Sequence, residues 1–160
     1  MLKINILCVG SVKENFLKEG ILEYKKRISK FAALNFIEVK EAKIESFENQ
    51  SLIKKTLDEE GEKLLKQINK NGYVILVDLH GEELASEDFA SKLNKIKENG
   101  NSTIDFIIGG TLGLSDNLKR IANYRICLSK MTFPHQLTRL ILLEQIYRAF
   151  KIINNESYHH

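Results

Sequence analysis

Cysteine is scarce in this sequence, whose 160 residues include only Cys8 and Cys127. The two are far apart, form no Cys-x-x-Cys pair and lie in apolar, strand-like runs, so we expect reduced core residues and no metal site. No apolar run approaches the ~20 residues that cross a bilayer, and residues 1–15 lack the layout of a signal peptide. These absences predict a cytoplasmic protein with neither a membrane nor a metal partner.

Linkers and the commonest nucleotide-binding motifs are absent as well. Pro134 is the only proline, and no stretch rich in proline, glycine or serine divides the chain, which predicts a single domain over residues 1–160. No Gly-Lys-Ser/Thr completes a P-loop, and only Gly10 follows the first apolar run, where an ordinary Rossmann enzyme has its glycine fingerprint. Both of these enzyme classes are therefore disfavoured.

The apolar residues that are present alternate between continuous, strand-like runs and helical spacing. Strands alternating with helices predict an α/β fold, in which a mostly parallel sheet is covered by helices on both faces. Ligands of such a sheet lie at the carboxyl ends of strands, here near His80, Gly109 and Ser129. The predicted strands are 2–9, 34–39, 73–79, 104–108 and 124–128. The predicted helices are 51–68, 86–97, 115–122 and 135–153, preceded by one with Phe16, Leu17, Ile21, Tyr24 and Ile28 on its apolar side.

The last predicted helix is apolar on more than one side. One face of a sheet does not cover so wide a surface, so either other elements of the chain or a second subunit must cover the rest. We favour a homodimer. The apolar residues of this helix are Leu137, Leu140, Ile141, Leu142, Leu143, Ile146, Tyr147, Phe150 and Ile153.

Charge is distributed unevenly although the net charge is only +3. From Lys119 onward the chain has seven basic and two acidic residues. This excess indicates an anionic partner at the C-terminal end. The alternative is that the cations lie on solvated helix faces.

Two turns and the tail hold the residues with chemical potential. The glycine segment 106–116 and the Pro134 turn each precede a helix, and each is either a tight turn or a place where backbone N–H groups grip a ligand. His135 and Arg139 share one helix face at i, i+4; they offer too few ligands for a metal site and have either a functional or a purely structural role. The tail ends in Tyr158, His159 and His160, either as a disordered terminus or as groups that stack on a base and handle protons.

Taken together, these segments resemble the RlmH (YbeA) family of SPOUT-superfamily methyltransferases over the whole chain. The motifs that carry the resemblance are VGSVKE at 9–14, EYKKRISKF at 23–31, VDLHGEELASEDFA at 77–90, FIIGGTLGL at 106–114, LSKMTFPHQLTRLILLEQIYRAFKI at 128–152 and the terminal ESYHH.

The resemblance implies a SPOUT α/β-knot: a mostly parallel sheet flanked by helices, with a C-terminal trefoil knot and a homodimer built on the last helix. It implies methylation of N3 of a pseudouridine in 23S ribosomal RNA, on assembled ribosomes, with S-adenosylmethionine as cofactor. The residues that it places at the cofactor are Val77, Gly109, Leu128, Ser129, Lys130, Met131, Thr132 and Phe133. Those that it places at the catalytic and RNA-facing surface are His135, Arg148, Tyr158 and His159, with Arg139 beside them.

Two other classes of function stay open at this point. A small-molecule enzyme would use the Gly109 turn for a nucleotide phosphate and would bind nucleotides without S-adenosylmethionine. A non-catalytic ribosome-binding module would associate with ribosomes without transferring a methyl group.

Overall fold

The computed structural model describes residues 1–158. His159, predicted to be catalytic, and His160 lie outside the described residues.

Strands and helices follow one another in the predicted order. The differences from the prediction lie at the ends of elements, and the largest is in the third strand, which continues from Leu79 to Glu83. The strands are β1 (Leu2–Val9), β2 (Ala32–Val39), β3 (Tyr73–Glu83), β4 (Thr103–Ile108) and β5 (Tyr124–Cys127). The helices are α1 (Asn15–Ile28), α2 (Gln50–Leu65), α3 (Ser86–Glu98), α4 (Asp116–Ile121) and α5 (His135–Ile153).

The extension of β3 depends on a bulge beside β5. Val77 and Glu82 of β3 both pair with Ile126 of β5, so the residues between them leave the regular register. Gly81 lies in this bulge, where a Cβ atom would be 2.7 Å from the carbonyl carbons of Arg125 and Ile126. Only glycine fits so close to a neighbouring backbone. Gly81 therefore allows β3 to stay paired with β5 beyond His80, the residue at which the sequence predicted the end of the strand.

All strand pairs of the sheet are parallel, and the strand order is β2-β1-β4-β3-β5. The predicted α/β architecture is thereby confirmed. The chain leaves β1 toward one edge and β4 toward the other, so the topological switch point lies between β1 and β4, where open α/β sheets bind ligands. The trefoil knot stays a prediction.

Helices cover both faces of the sheet, as the sequence predicted. On one face α5 contacts both α1 and α3, over a core that includes Ile6, Phe106 and Ile146. On the other face a smaller core includes Leu64 of α2 and Leu118 of α4. Other elements of the chain thus bury one side of α5.

Phe16 does not belong to the buried side of α1, where the sequence placed it, because it is 65% exposed. Leu17, Ile21 and Ile28 form the buried stripe. Successive helical residues are rotated by ~100°, so Phe16, in the first turn beside Leu17, points away from the core.

One group of buried polar side chains joins neighbouring strands inside the sheet. Asp105 is 0% exposed and accepts hydrogen bonds from Asn5 Nδ2 at 2.7 Å and from the backbone N–H of Asn69 at 2.8 Å. These two bonds satisfy the buried carboxylate, because buried polar atoms require hydrogen-bond partners. Both cysteines are buried and free, as predicted, and burial raises the pKa of the Cys8 thiol to about 12.

Candidate active site

A cavity of about 540 Å³ opens at the carboxyl ends of β3, β4 and β5. Its walls include Val77, Ile108 and Cys127 from those strands. Because these strands are parallel and adjacent, the turns that follow them converge at one edge of the sheet. Its volume lies within the ~300–1,000 Å³ of small-molecule sites.

The glycine turn after β4 forms part of the cavity wall. A Cβ atom on Gly109 would lie 2.2 Å from the carbonyl oxygen of Gly113, and Gly113 has a φ of 102°. Gly110 and Gly113 form an isolated β-bridge, and the Ser115 side chain caps α4 by accepting a bond from Leu118 N–H at 3.4 Å. The two interpretations of this motif therefore coincide: the turn is tight, and it lines a cavity.

The loop between β5 and α5 forms the opposite wall. Ser129 Oγ accepts the N–H of Met131 at 3.0 Å, and the carbonyl oxygen of Pro134 accepts the N–H of Thr138 at 3.0 Å. These bonds fix both ends of the loop. The loop residues that line the cavity are Leu128, Ser129, Met131, Thr132 and Phe133.

Lys130 differs from the other predicted cofactor residues, because it does not line the cavity. Its side chain is 86% exposed, and its Nζ lies 3.7 Å from Glu83 Oε1. That partner belongs to the part of β3 beyond the predicted end, which is why the sequence did not indicate this ion pair.

His135 lies at the start of α5 and completes the cavity. Partial burial lowers its pKa below the usual value, the positive charge of Arg139 lowers it further, and Glu41 acts in the opposite direction. His135 is therefore uncharged at neutral pH and able to accept a proton. His80 also lines the cavity, but it is exposed.

The cavity suits an adenosyl ligand in shape and chemistry. Apolar side chains such as Val77, Leu114 and Phe133 offer walls for a ring, and the Gly109 turn contributes backbone to the cavity wall. Adenine edges are read by backbone groups of just this kind. The residues present thus fit the cofactor that the resemblance implies.

Arg139 does not face RNA, where the sequence placed it with His135, because it is 1% exposed. Its Nη1 donates to Glu38 Oε2 at 2.7 Å, and its Nη2 donates to the carbonyl oxygens of Val9 and Gly10 at 2.9 Å each. The β1–α1 turn covers this face of α5. Arg139 therefore fastens that turn to the start of the helix.

Replacing Arg139 with methionine should lower the free energy of unfolding by about 2–4 kcal/mol, since two buried carbonyl groups lose their donor and Glu38 its counter-ion. Urea denaturation followed by circular dichroism measures this change. The matched control is Lys54→Met, which removes an exposed pair with Asp58 and should leave the free energy of unfolding close to the wild-type value. Equal stabilities of the two variants would contradict the structural role of Arg139.

Arg148 and Tyr158 form a cluster of their own around Glu144. Arg148 Nη2 lies 2.5 Å from Glu144 Oε1, and the Tyr158 hydroxyl donates to the same oxygen at 3.3 Å. The Arg148 guanidinium lies 4.7 Å from the Tyr158 ring centroid. Burial, a hydrogen bond with Tyr24 and the charge of Glu144 all raise the pKa of Tyr158, so its hydroxyl stays protonated and is no base at neutral pH.

This tail cluster (Glu144, Arg148 and Tyr158) lies far from the cavity within one chain. Arg148 follows His135 by thirteen residues of one helix, which corresponds to about 20 Å along the axis. Neither Arg148 nor Tyr158 lines the cavity. The structure thus brings together seven of the eight predicted cofactor residues with His135, but not Arg148 or Tyr158.

The basic excess of the C-terminal third is largely matched by acidic partners within the chain. The pairs are Arg125–Asp78, Lys130–Glu83, Arg139–Glu38, Arg148–Glu144 and Lys151–Glu156. The count of charges in the C-terminal third did not include three of these acidic residues, Asp78, Glu83 and Glu38, because they belong to the strands β3 and β2.

Other residues of the site had no distinctive signal in the sequence. Lys119 of α4 and Thr138 of α5 line the cavity. Glu60 is 5% exposed, accepts the N–H of Ala42 at 3.2 Å and stands 3.3 Å from the position of a Cβ atom on Gly110. Only the packing of α2 against the glycine turn brings Glu60 there.

Within residues 1–158, no three histidine, cysteine, aspartate or glutamate side chains are grouped in a way that would hold a metal ion. No helix in that part of the chain is long and apolar enough to cross a membrane.

Comparisons with known proteins identify the family of the chain. A family described as "Predicted SPOUT methyltransferase" matches residues 2–159. The chain is 51% identical to "Ribosomal RNA large subunit methyltransferase H" of Ruminiclostridium cellulolyticum and 47% identical to that of Clostridium acetobutylicum, over 99% of each chain. Among solved structures, a probable methylase family protein from Haemophilus influenzae aligns with a TM-score of 0.51 at 12% identity, over 98% of this chain and 70% of that one; this likeness concerns the fold alone.

Proposed function

We propose, because this chain belongs to the SPOUT methyltransferase family, that it transfers a methyl group from S-adenosylmethionine to N3 of a pseudouridine in 23S ribosomal RNA. Its substrate would be the assembled ribosome in the cytoplasm. One observation carries the proposal: Val77, Gly109 and five residues of the 128–133 loop line a single cavity together with His135.

The chain's own residues would bind the cofactor, orient the nucleotide that is methylated and remove the proton from its N3. The Gly109 turn and the 128–133 loop would hold the adenosyl part between them, and His135 lines the same cavity. When bound, S-adenosylmethionine supplies an electrophilic methyl group on a sulfonium. N3 would take up that methyl group and give its proton to the uncharged His135. Holding the reacting atoms in line provides much of the rate.

The two separated groups of candidate residues support a homodimer. If two copies pack their α5 helices antiparallel, the tail cluster of one protomer meets the cavity of its partner. Two exposed apolar side chains at the cavity rim favour such a contact: Leu79 is 55% exposed and Met131 is 76% exposed. Arg148 and Tyr158 would then hold a phosphate and stack on a base from across the interface.

The direct test combines the protein with labelled S-adenosylmethionine and ribosomes from a strain that lacks the modification. We expect label on N3 of a pseudouridine in 23S RNA, located by nuclease digestion and mass spectrometry. Nucleotide binding without S-adenosylmethionine binding would instead support a small-molecule enzyme. Ribosome association without transfer would support a non-catalytic module.

Activity should depend on the neutral form of His135. Because its pKa lies below the ordinary histidine value of 6.5, protonation sets in only as pH falls below that value, and kcat should stay on its plateau at pH 7. His135→Asn should lower kcat about 100-fold or more by removing a general base and should abolish the acidic limb of the pH–rate profile. Single-turnover methyl transfer from pH 5 to 9 measures both.

His80→Asn is the matched control, since it removes the exposed imidazole of the same cavity. It should keep the wild-type acidic limb. If His135→Asn retained the limb and His80→Asn lost it, the proton acceptor would be His80.

A further inference from the structure

His135 separates two cavities. The second cavity, of about 420 Å³, is lined by Gly10, Ser11, Lys13, Glu38, Val39, Lys40, Glu41, His135 and Gln136. Among the lining residues of the two cavities, His135 is the one that they share. A group bound in the second cavity therefore faces the cofactor cavity across a single imidazole.

The sheet topology places the second cavity at the ligand-binding edge. It lies where β1 and β2 end, after Val9 and Val39, while the first cavity lies where β3, β4 and β5 end. Since β1 is the neighbour of β4, the boundary between the cavities coincides with the topological switch point. Open α/β sheets bind their substrates there.

The wall of the second cavity is fixed by bonds between distant segments. The N–H of Lys13 donates to Gln136 Oε1 at 3.0 Å, and the N–H of Gly10 donates to the carbonyl oxygen of Val39 at 2.8 Å. Arg139 holds the same turn from below through the carbonyl oxygens of Val9 and Gly10. The positions of the lining residues relative to His135 are thus set before a ligand arrives, which reduces the entropic cost of binding.

Charge in the second cavity favours an anion of modest size. Lys13 and Lys40 are exposed, and neither side chain forms an ion pair within the described range 1–158. Glu38 is neutralised by Arg139 at 2.7 Å, which leaves Glu41 as the acidic group of the wall. The paired cations of the C-terminal third contrast with these two free ammonium groups.

We propose that the second cavity binds a nucleotide of the ribosomal RNA substrate, with Lys13 and Lys40 on its phosphodiester oxygens. The inference rests on the proposed function and assigns one nucleotide of the RNA its place on the β1–β2 side of His135, while the nucleotide that receives the methyl group has to enter the cofactor cavity itself. Lysine contacts to phosphate position the chain without reading its sequence. They also make binding depend on salt, because each neutralised phosphate releases counterions.

The test is the double variant Lys13→Ala/Lys40→Ala of the full-length protein. Its KM for ribosomes should rise about tenfold or more, and the slope of log KM against log salt should fall by roughly two, one for each lost phosphate contact. Binding of S-adenosylmethionine, measured by calorimetry, should be unchanged, as should kcat at saturating ribosomes. The variant Lys13→Arg/Lys40→Arg keeps both charges and should retain most of the wild-type KM.

The control variant is Lys95→Ala/Lys97→Ala, which removes the same charge from exposed positions at the end of α3, at the opposite edge of the sheet. It should leave KM and its salt dependence near the wild-type values. If both alanine pairs behave alike while wild-type protein methylates ribosomes, the inference is overturned and the proposed function stands. If wild-type protein binds ribosomes but transfers no methyl group, the proposed function fails. The second cavity is then tested by ribosome binding alone: the Lys13→Ala/Lys40→Ala variant should bind more weakly and with a smaller salt dependence than the Lys95→Ala/Lys97→Ala variant, and equal binding would overturn the inference.

Discussion

Replacing Gly109 with alanine should weaken binding of S-adenosylmethionine by two orders of magnitude or more and abolish methyl transfer. The added Cβ atom would lie 2.2 Å from the Gly113 oxygen and 2.7 Å from its carbonyl carbon. Both are backbone atoms of the same turn, so the turn must open, and the cavity wall moves with it. Isothermal titration calorimetry with the cofactor measures the effect directly.

Gly100→Ala separates this effect from a general loss of stability. Gly100 has a φ of 92° with nothing within 4 Å of a Cβ atom, so alanine there is strained by its backbone alone and costs roughly 1 kcal/mol. It lies between α3 and β4, away from the cavity. We expect a modest loss of stability with normal cofactor affinity; normal affinity in Gly109→Ala as well would remove the glycine turn from the cofactor site.

Truncation after Asn155 should abolish methyl transfer while sparing the fold and cofactor binding. The cut removes Tyr158 and His159, and none of the described residues among those removed, 156–158, lines the cavity or belongs to the buried core. Circular dichroism and calorimetry should therefore give wild-type values, whereas the ribosome assay should give none of the wild-type activity. Full activity of the truncated chain would remove the tail from the reaction.

Mixing the truncated chain with Gly109→Ala tests whether the tail acts on the partner's cavity. Each homodimer alone should be inactive. In a mixed dimer the truncated protomer has an intact cavity and its partner an intact tail, which restores one site in two. With half of the dimers mixed, activity should recover to roughly a quarter of wild type. No recovery, with mixed dimers verified by native mass spectrometry, would mean that the tail serves its own cavity.

Much of this site was predictable because it lies at strand ends. His80, Gly109 and Ser129 each follow an apolar run, and in a parallel sheet such positions converge at one edge whatever the strand order. The sequence therefore located the cavity, which all three residues line, without knowing that β4 lies between β1 and β3. The lengths and order of the elements followed from apolar periodicity for the same reason.

What the sequence could not indicate depends on how elements pack. The i, i+4 spacing placed Arg139 and His135 on one helix face, but only the β1–α1 turn decides that Arg139 is covered and His135 is not. The continuation of β3 past His80 depends on the close approach of Gly81 to β5. Lys13 and Lys40 are separated by a helix and a strand in sequence, and parallel pairing of β1 with β2 brings the segments that follow them together.

A single imidazole between two cavities also bears on inhibitor design. A compound that joins an adenosyl group to a nucleotide-like group would have to pass His135, whose uncharged ring offers a hydrogen-bond acceptor at the junction. A short linker carrying a positive charge or an N–H donor there would imitate the moment at which the proton leaves N3. Each half of such a compound would bind in a cavity whose wall is already fixed. Most of the entropy lost on binding would therefore come from ordering the linker, and the linker length would be the first variable to optimise.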